Sequence, residues 1–426
     1  MKSESSQAVH PTPYTIRVSD PQLLLLKRKL DLVSFPDELE DIGWSHGAPR
    51  SEVQRLVERW RSGYDWRAEE ARLNASLPQF TTAIDIDGFG SFEIHHVHVK
   101  SARAGAIPLL FVHGWPGSFT EVSAILPLLV DPESSEHPAF HVVAPSLPGF
   151  GFSDAPKRAG FSMVQYAETC HKLMLALGYE EYVSQGGDWG SVITRKMATK
   201  YGPRHIKAWH TNMPLGTPPN LWQSPLRYLS EVVKPSSKPQ DRLMIEHNQM
   251  YMAQEMGYML QQSTRPQTLG YGLHDSPVGL LAWLYEKLVK WTDEYPWTDD
   301  EVLTWVSLYW FSKAGPAASL RIYYEVAQHG DIRPDFSPVD LPTVPHGVSY
   351  FPKECIRIPL SWVKASANVV YSETHKKGGH FAAYEQPVEI AGALRKMFGR
   401  NGPVFGVVRQ CTGFHDHVFE KRGERW

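Results

Sequence analysis

The apolar positions of this chain change their period several times, and each change marks a different kind of element. Over residues 1–100 they mark short helices followed by a pair of strands. Asp20-Pro21 has the form of an N-cap with proline at the first helical position, and residues 22–30 continue the helix. A second helix is predicted to start at Ser51 and a third near residues 67–73. Residues 83–86 and 92–97 alternate apolar and polar side chains around Asp87-Gly88, which predicts two strands and a turn. Strand and helix then take turns. Residues 107–112 and 141–144 are short apolar runs of the buried-strand kind. Residues 182–185 lead through a glycine-flanked turn into a helix over 191–201, and 206–212 form another strand. From about Pro214 to Pro345 only helical patterns occur. Val278, Leu281, Tyr285 and Leu288 follow Ser276-Pro277 at helical spacing, and Thr298 and Glu301 have the spacing of a capping box. Strand patterns resume at 347–351 and 368–371.

Strands alternating with helices imply an α/β fold, a mainly parallel sheet covered on both faces. An all-helical block between strands of one sheet reads as an inserted lid. The expected organisation is an N-terminal extension over 1–100, an α/β core over 101–214 and 346–400, a helical lid over 215–345, and an aperiodic C-terminal tail over 401–426 read as an extension beyond the fold. Composition narrows the function. A formal net charge of −3, with both signs spread along the chain, gives no reason to expect nucleic acid or a membrane surface as partner. Three cysteines without metal-ligand spacing fit a reducing compartment. The first residues lack the apolar core of a secretory signal, and no run approaches the roughly 20 apolar residues of a membrane span, so a cytoplasmic protein is expected.

Three special loops fall at the carboxyl ends of predicted strands, where ligands bind in such sheets. Gly186-Gly187-Asp188-Trp189-Gly190 lies between a strand and a helix, the context of a nucleophile elbow with aspartate at the nucleophile position. The glycines remove Cβ atoms that would collide as strand and helix close together. His113-Gly114-Trp115-Pro116-Gly117 follows the strand 107–112, where an oxyanion-hole N–H is supplied in such folds; the donors here would be the backbones of Trp115 and Trp189. A cis Trp115-Pro116 bond is expected, because the loop must aim an N–H while reversing sharply. A third glycine-rich loop, residues 146–154, sits at the same edge. Gly378-Gly379-His380 follows the last strand, and Glu354 ends the strand before it. The order Asp188, Glu354, His380 is the α/β-hydrolase order of nucleophile, acid and base.

Together, His113-Gly114-Trp115-Pro116, the Gly-Gly-Asp-Trp-Gly elbow and Gly-Gly-His-Phe-Ala-Ala resemble the microsomal-type epoxide hydrolases, in particular their soluble fungal-like branch, over about residues 12–398. The resemblance implies the α/β-hydrolase fold, no cofactor or metal, an epoxide and water as reactants, and compatibility with a homodimer. It also implies two lid tyrosines that hold the epoxide oxygen. Tyr258 matches the first. In Arg321-Ile322-Tyr323-Tyr324-Glu325, aligning Arg321 and Glu325 selects Tyr323 over Tyr324. In this reading Asp188 forms a hydroxyalkyl ester, which water activated by His380 and Glu354 then hydrolyses. A haloalkane dehalogenase would share the elbow and the ester but would need halide-binding N–H donors in place of lid phenols. A binding protein that reuses the hydrolase pocket would ordinarily have lost a catalytic residue.

Overall fold

The computed structural model describes residues 10–219, 239–331 and 338–414. Its centre is one sheet of nine strands: β1 (Thr12–Tyr14), β2 (Gln79–Ile86), β3 (Gly90–Val99), β4 (Ile107–Val112), β5 (Phe140–Pro145), β6 (Tyr182–Gly186), β7 (Ile206–Thr211), β8 (His346–Tyr350) and β9 (Val369–Thr374). The spatial order is β1-β2-β3-β5-β4-β6-β7-β8-β9. β1, β2 and β3 pair antiparallel, as do β3 and β5. From β5 to β9 every pairing is parallel. β4 is buried at all six positions, as a central parallel strand under helices on both faces must be. β9, at the edge, alternates half-buried and exposed positions. The three-residue β1 escapes a reading based on periodicity, because it is too short to show a period.

The N-terminal helix spans Asp20–Asp31, but its N-cap is Ser19 instead of Asp20. The Ser19 N–H donates to Gln22 Oε1 at 3.1 Å, so the governing signal is the Ser-x-x-Gln box one residue earlier. The second helix, Arg50–Ser62, begins one residue before the predicted start, directly after Pro49. The third, Trp66–Ser76, is capped by Asp65, whose side chain accepts the N–H groups of Arg67 and Ala68.

Between β7 and β8 the chain forms helices Pro239–Gln254, Gly257–Thr264, Pro266–Asp275, Pro277–Lys290, Asp299–Trp310 and Arg321–His329. Ser276 caps one through Gly279 N–H at 3.0 Å, and Thr298 and Glu301 close the expected capping box. The N-terminal segment holds this block in place. Tyr285 donates to Glu52 Oε2 at 3.0 Å, Arg59 pairs with Asp300 at 2.8 Å, Arg55 pairs with Asp299, and the Tyr64 and Thr304 hydroxyls meet at 3.0 Å. Exposed ion pairs of this kind add little to stability, so their shared effect is to fix orientation. Among the described residues no helix is long and apolar enough to cross a membrane. Residues 401–414 carry neither helix nor strand, yet Gly413 bonds both Gly105 and Ala139 and Phe414 is buried. This part of the tail is packed on the fold instead of extending beyond it.

Two glycines test the packing. A Cβ on Gly190 would lie 1.9 Å from the Val112 carbonyl oxygen, whereas one on Gly392, inside helix Pro387–Phe398, meets nothing within 4 Å. Gly190→Ala should destabilise by about 1–3 kcal/mol or more through overpacking. Gly392→Ala should stabilise by about 0.5–1 kcal/mol through helix propensity. Urea denaturation of the two variants checks both signs.

Candidate active site

β6 delivers the chain to Asp188 at φ 50° and ψ −130°, and the next helix, Trp189–Tyr201, starts at once. A non-glycine residue held there costs about 1–3 kcal/mol, so its neighbours must hold it. They do so by close approach. A Cβ on Gly186 would sit 2.4 Å from the Gly190 carbonyl oxygen, and one on Gly114 would sit 2.1 Å from Asp188 Oδ1. The carboxylate thus fills space that only a glycine at 114 leaves open.

That approach lets the Trp115 N–H donate to Asp188 Oδ1 at 2.7 Å. The Trp115-Pro116 bond is cis, as expected. Trp189 is the first residue of its helix, so its N–H has no intrahelical acceptor. The loop is tied down on both sides. His113 Nδ1 bonds Gly114 O at 2.9 Å, and its Nε2 accepts the Leu147 N–H at 3.2 Å, which places the proton on Nδ1. Burial pulls the His113 pKa down to about 4, so the ring is a neutral strut between two loops. From the lid, the Trp305 indole N–H donates to Pro116 O, and the Tyr309 hydroxyl donates to Gly117 O at 2.7 Å.

His380 lies between two carboxylates. Its Nδ1 is 2.6 Å from Glu354 Oε1 and its Nε2 is 3.3 Å from Asp188 Oδ2. Glu354 is 1% exposed, and its Oε1 also accepts the Cys355 N–H at 2.7 Å. Burial opposes a charge on His380, but the Glu354 carboxylate and the bond to Asp188 outweigh it and hold the imidazole well above its ordinary 6.5. Among the described residues one group has the closeness a metal ion needs: donor atoms of Glu354, Cys355 and His380 lie within 4.8 Å of one another. The Glu354–His380 bond already engages two of the three side chains.

Over Asp188 the lid closes an apolar cavity lined by Tyr258, Tyr323, Trp189, Met213, Trp291 and Ile356 among others. Tyr258 stacks on Trp115 (5.6 Å, 10°), and Tyr323 meets the Trp189 ring edge-on (4.8 Å, 80°). Both phenols are raised in pKa, by burial first and with Asp188 contributing, so they keep their protons at neutral pH. The Tyr323 hydroxyl has no hydrogen-bond partner among the described residues. Tyr324, its neighbour, is half-buried and does not line the cavity.

The structure therefore gathers Asp188, His380, Glu354, Tyr258, Tyr323, Trp115 and Trp189 in one place. Sequence reasoning missed several residues around them. Tyr251 also lines the cavity, and the Trp291 carbonyl accepts the His380 N–H at 2.8 Å. Glu121 is raised to about 8 by burial, with His380 opposing and Asp188 adding, and it accepts the Ser118 N–H at 3.2 Å. Its Ser-x-x-Glu spacing was a readable signal. Trp291 offers none, because its role is a backbone contact made across the fold.

A parallel sheet with an aspartate on a strand-to-helix elbow, a histidine after the last strand and an inserted helical lid defines an α/β hydrolase. The model of the alpha/beta hydrolase fold matches residues 107–237, and that of the epoxide hydrolase N terminus matches residues 11–122. Epoxide hydrolase 1 of Sus scrofa is 36% identical over 412 residues, covering 91% of this chain and 88% of the pig protein. The solved Aspergillus niger epoxide hydrolase superposes with a TM-score of 0.76 at 34% identity, over 92% of this chain and 96% of that one. Juvenile hormone epoxide hydrolase from the silkworm Bombyx mori gives 0.81 at 31% identity, over 92% and 94%. The chain belongs to the epoxide hydrolase family and is a hydrolase that adds water to an epoxide.

The raised His380 pKa has a direct check. Glu354→Gln removes the leading group that favours the imidazolium and leaves the opposing effect of burial, so the pKa should fall relative to the wild type. Nitrogen NMR of histidine-labelled protein across a pH series reads it. An unchanged titration would mean that Glu354 does not set the charge of His380.

Proposed function

We propose that the hydrolysis runs in two covalent steps through Asp188. The observation that carries this reading is the division of labour between its oxygens: Oδ1 takes the Trp115 N–H, while Oδ2 lies 3.3 Å from His380 Nε2 in the cavity with Tyr258 and Tyr323. Oδ2 attacks an epoxide carbon and the ring C–O bond breaks. The departing oxygen takes its electron pair and a proton from Tyr258 or Tyr323, which spares a free alkoxide. Oδ1 becomes the carbonyl oxygen of the ester. Water then attacks the ester carbon and gives a proton to His380 Nε2, and the tetrahedral oxyanion forms on Oδ1 between the N–H groups of Trp115 and Trp189. Collapse breaks the bond to the diol oxygen, which takes the proton back from His380, and the proton left on the Asp188 carboxyl then returns to His380 Nε2, restoring the carboxylate and the imidazolium. Losing one oxyanion donor costs about 3 kcal/mol in comparable sites.

The charges support this order. With Asp188 ionised, the imidazole between two carboxylates holds its proton. Esterification removes the Asp188 charge and with it one of the effects raising His380, so the imidazolium passes its proton to the tyrosinate left by ring opening and is a free base when water attacks. The same change relieves both phenols of a neighbouring anion. Glu354 orients the ring and stabilises the imidazolium that forms.

Asp188→Ala should abolish both steps. His380→Gln should block mainly the second and accumulate an adduct equal in mass to the intact epoxide, on the peptide carrying Asp188. Normal turnover by that variant, or an adduct elsewhere, would remove the assignment. Adducts formed from haloalkanes but not from epoxides would favour the dehalogenase chemistry. A second comparison tests the lid phenols. Tyr258→Phe and Tyr323→Phe should each slow adduct formation by about tenfold or more, since positioned acids contribute roughly 100-fold and two share the task. Tyr324→Phe should leave that rate unchanged in pre-steady-state mixing.

A further inference from the structure

We propose that Glu385 is the positioning residue of the catalytic histidine, and that it works by tying the His380 loop to the lid segment Trp291–Asp293. It is 9% exposed and ends the short helix Ala382–Glu385 that follows His380-Phe381. Its Oε1 accepts the Phe381 N–H at 3.1 Å, and its Oε2 accepts the Gly379 N–H at 3.1 Å and the Asp293 N–H at 2.9 Å. The backbone donors on both sides of His380 thus end on one carboxylate. The remaining two donors of the loop end on the lid segment: the His380 N–H on Trp291 O at 2.8 Å, and the Gly378 N–H on Asp293 Oδ2 at 2.8 Å. Four consecutive N–H groups, from 378 to 381, are divided two and two between Glu385 and the lid.

Packing enforces the same arrangement. A Cβ on Gly379 would lie 2.4 Å from Trp291 O, 3.0 Å from the Thr292 Cα and 3.1 Å from Glu385 Oε1. Lid, loop and carboxylate therefore meet at van der Waals contact. A loop of two glycines and a histidine has little stiffness of its own. Burial raises the Glu385 pKa to about 7; in the ionised form its bonds from buried N–H groups are roughly twice as strong as neutral ones, and they supply the stiffness that keeps Nε2 aimed at Asp188. Glu385 bonds backbone only and touches no reacting atom. Its effect reaches the chemistry through the position of His380, and the step it governs is hydrolysis of the ester.

The inference rests on the two-step reading above, and its test separates the two. Every bond Glu385 makes is to a donor, so the amide of Glu385→Gln must turn one N–H against another. Enzyme in excess over an epoxide is mixed rapidly, and adduct formation and decay are followed by mass spectrometry on the full chain. Glu385→Gln should form the adduct at the wild-type rate and lose it about 10- to 100-fold more slowly, the loss expected of an ångström-scale misplacement. Asp293→Ala removes only the acceptor of Gly378 and should slow decay less, while Asp293→Asn, which keeps an acceptor oxygen, should restore it. This pair decides the matter if Glu385→Gln does not fold. Wild-type decay in both Glu385→Gln and Asp293→Ala overturns the proposal. So does an equal fall of formation and decay, which is the pattern of general structural damage. His380→Gln is the control: if it leaves no adduct, the two-step reading fails, whatever Glu385 does.

Discussion

The site depends on a backbone approach that only missing Cβ atoms permit. β4, β6 and the helix after Asp188 converge so tightly that a methyl group at 114, 186 or 190 would overlap a carbonyl oxygen or the Asp188 carboxylate itself. Because the gap is filled by Asp188 Oδ1, that oxygen is placed by contact and by one backbone N–H, while Oδ2 faces His380 Nε2. The cost is a residue at positive φ, of the order of 1–3 kcal/mol. The stability of the nine-stranded sheet carries it, and the geometry is in place before any substrate arrives.

A carboxylate placed this way would hold little catalytic advantage in water, where charges at 3–4 Å interact by about 1 kcal/mol. The lid changes the medium. It buries Tyr258, Tyr323 and His380 over Asp188, so that each proton's position is set by its neighbours' charges. Asp188, His380 and Glu354 then form one row, in which Glu354 and the bond to Asp188 hold the imidazole well above its ordinary pKa against the opposing effect of burial. In the two-step reading proposed above, esterification of Asp188 neutralises one end of that row, so the first step prepares the second.

Much of this was legible in the chain because the demanding contacts are local. Glycine is obligatory where strand and helix collide, and the elbow, the His113–Gly117 loop and the Gly378-Gly379-His380 turn all announce it. The choice of Tyr323 over Tyr324 comes from the family resemblance, and the helix agrees with it. In Arg321–His329 the buried face carries Ile322, Tyr323 and Val326, so Tyr324 turns away by one step of the helix. What stayed hidden depends on contacts between segments far apart. β1 pairs with β2 across more than sixty residues and is too short to show a period. The Ser19 cap lay one residue from the more conspicuous Asp20-Pro21. Trp291 acts through a carbonyl, which every residue has, and Gly413 closes the tail onto Gly105 through backbone alone.

These hidden contacts alter how the lid should be understood. It does more than shut out water. Trp305 and Tyr309 hold the carbonyls of the oxyanion loop from above, and Trp291 and Asp293 hold the N–H groups of the histidine loop. The N-terminal segment in turn grips the lid through Glu52, Arg55, Arg59 and Tyr64. The His113–Gly117 loop, His380 and the two phenols are therefore referred to one helical block, although Asp188 belongs to the sheet. A shift of that block would move all three together against a fixed carboxylate. The register between lid and sheet therefore sets how these groups meet Asp188, and the buried hydrogen bonds to backbone that fix it are concentrated where the two meet.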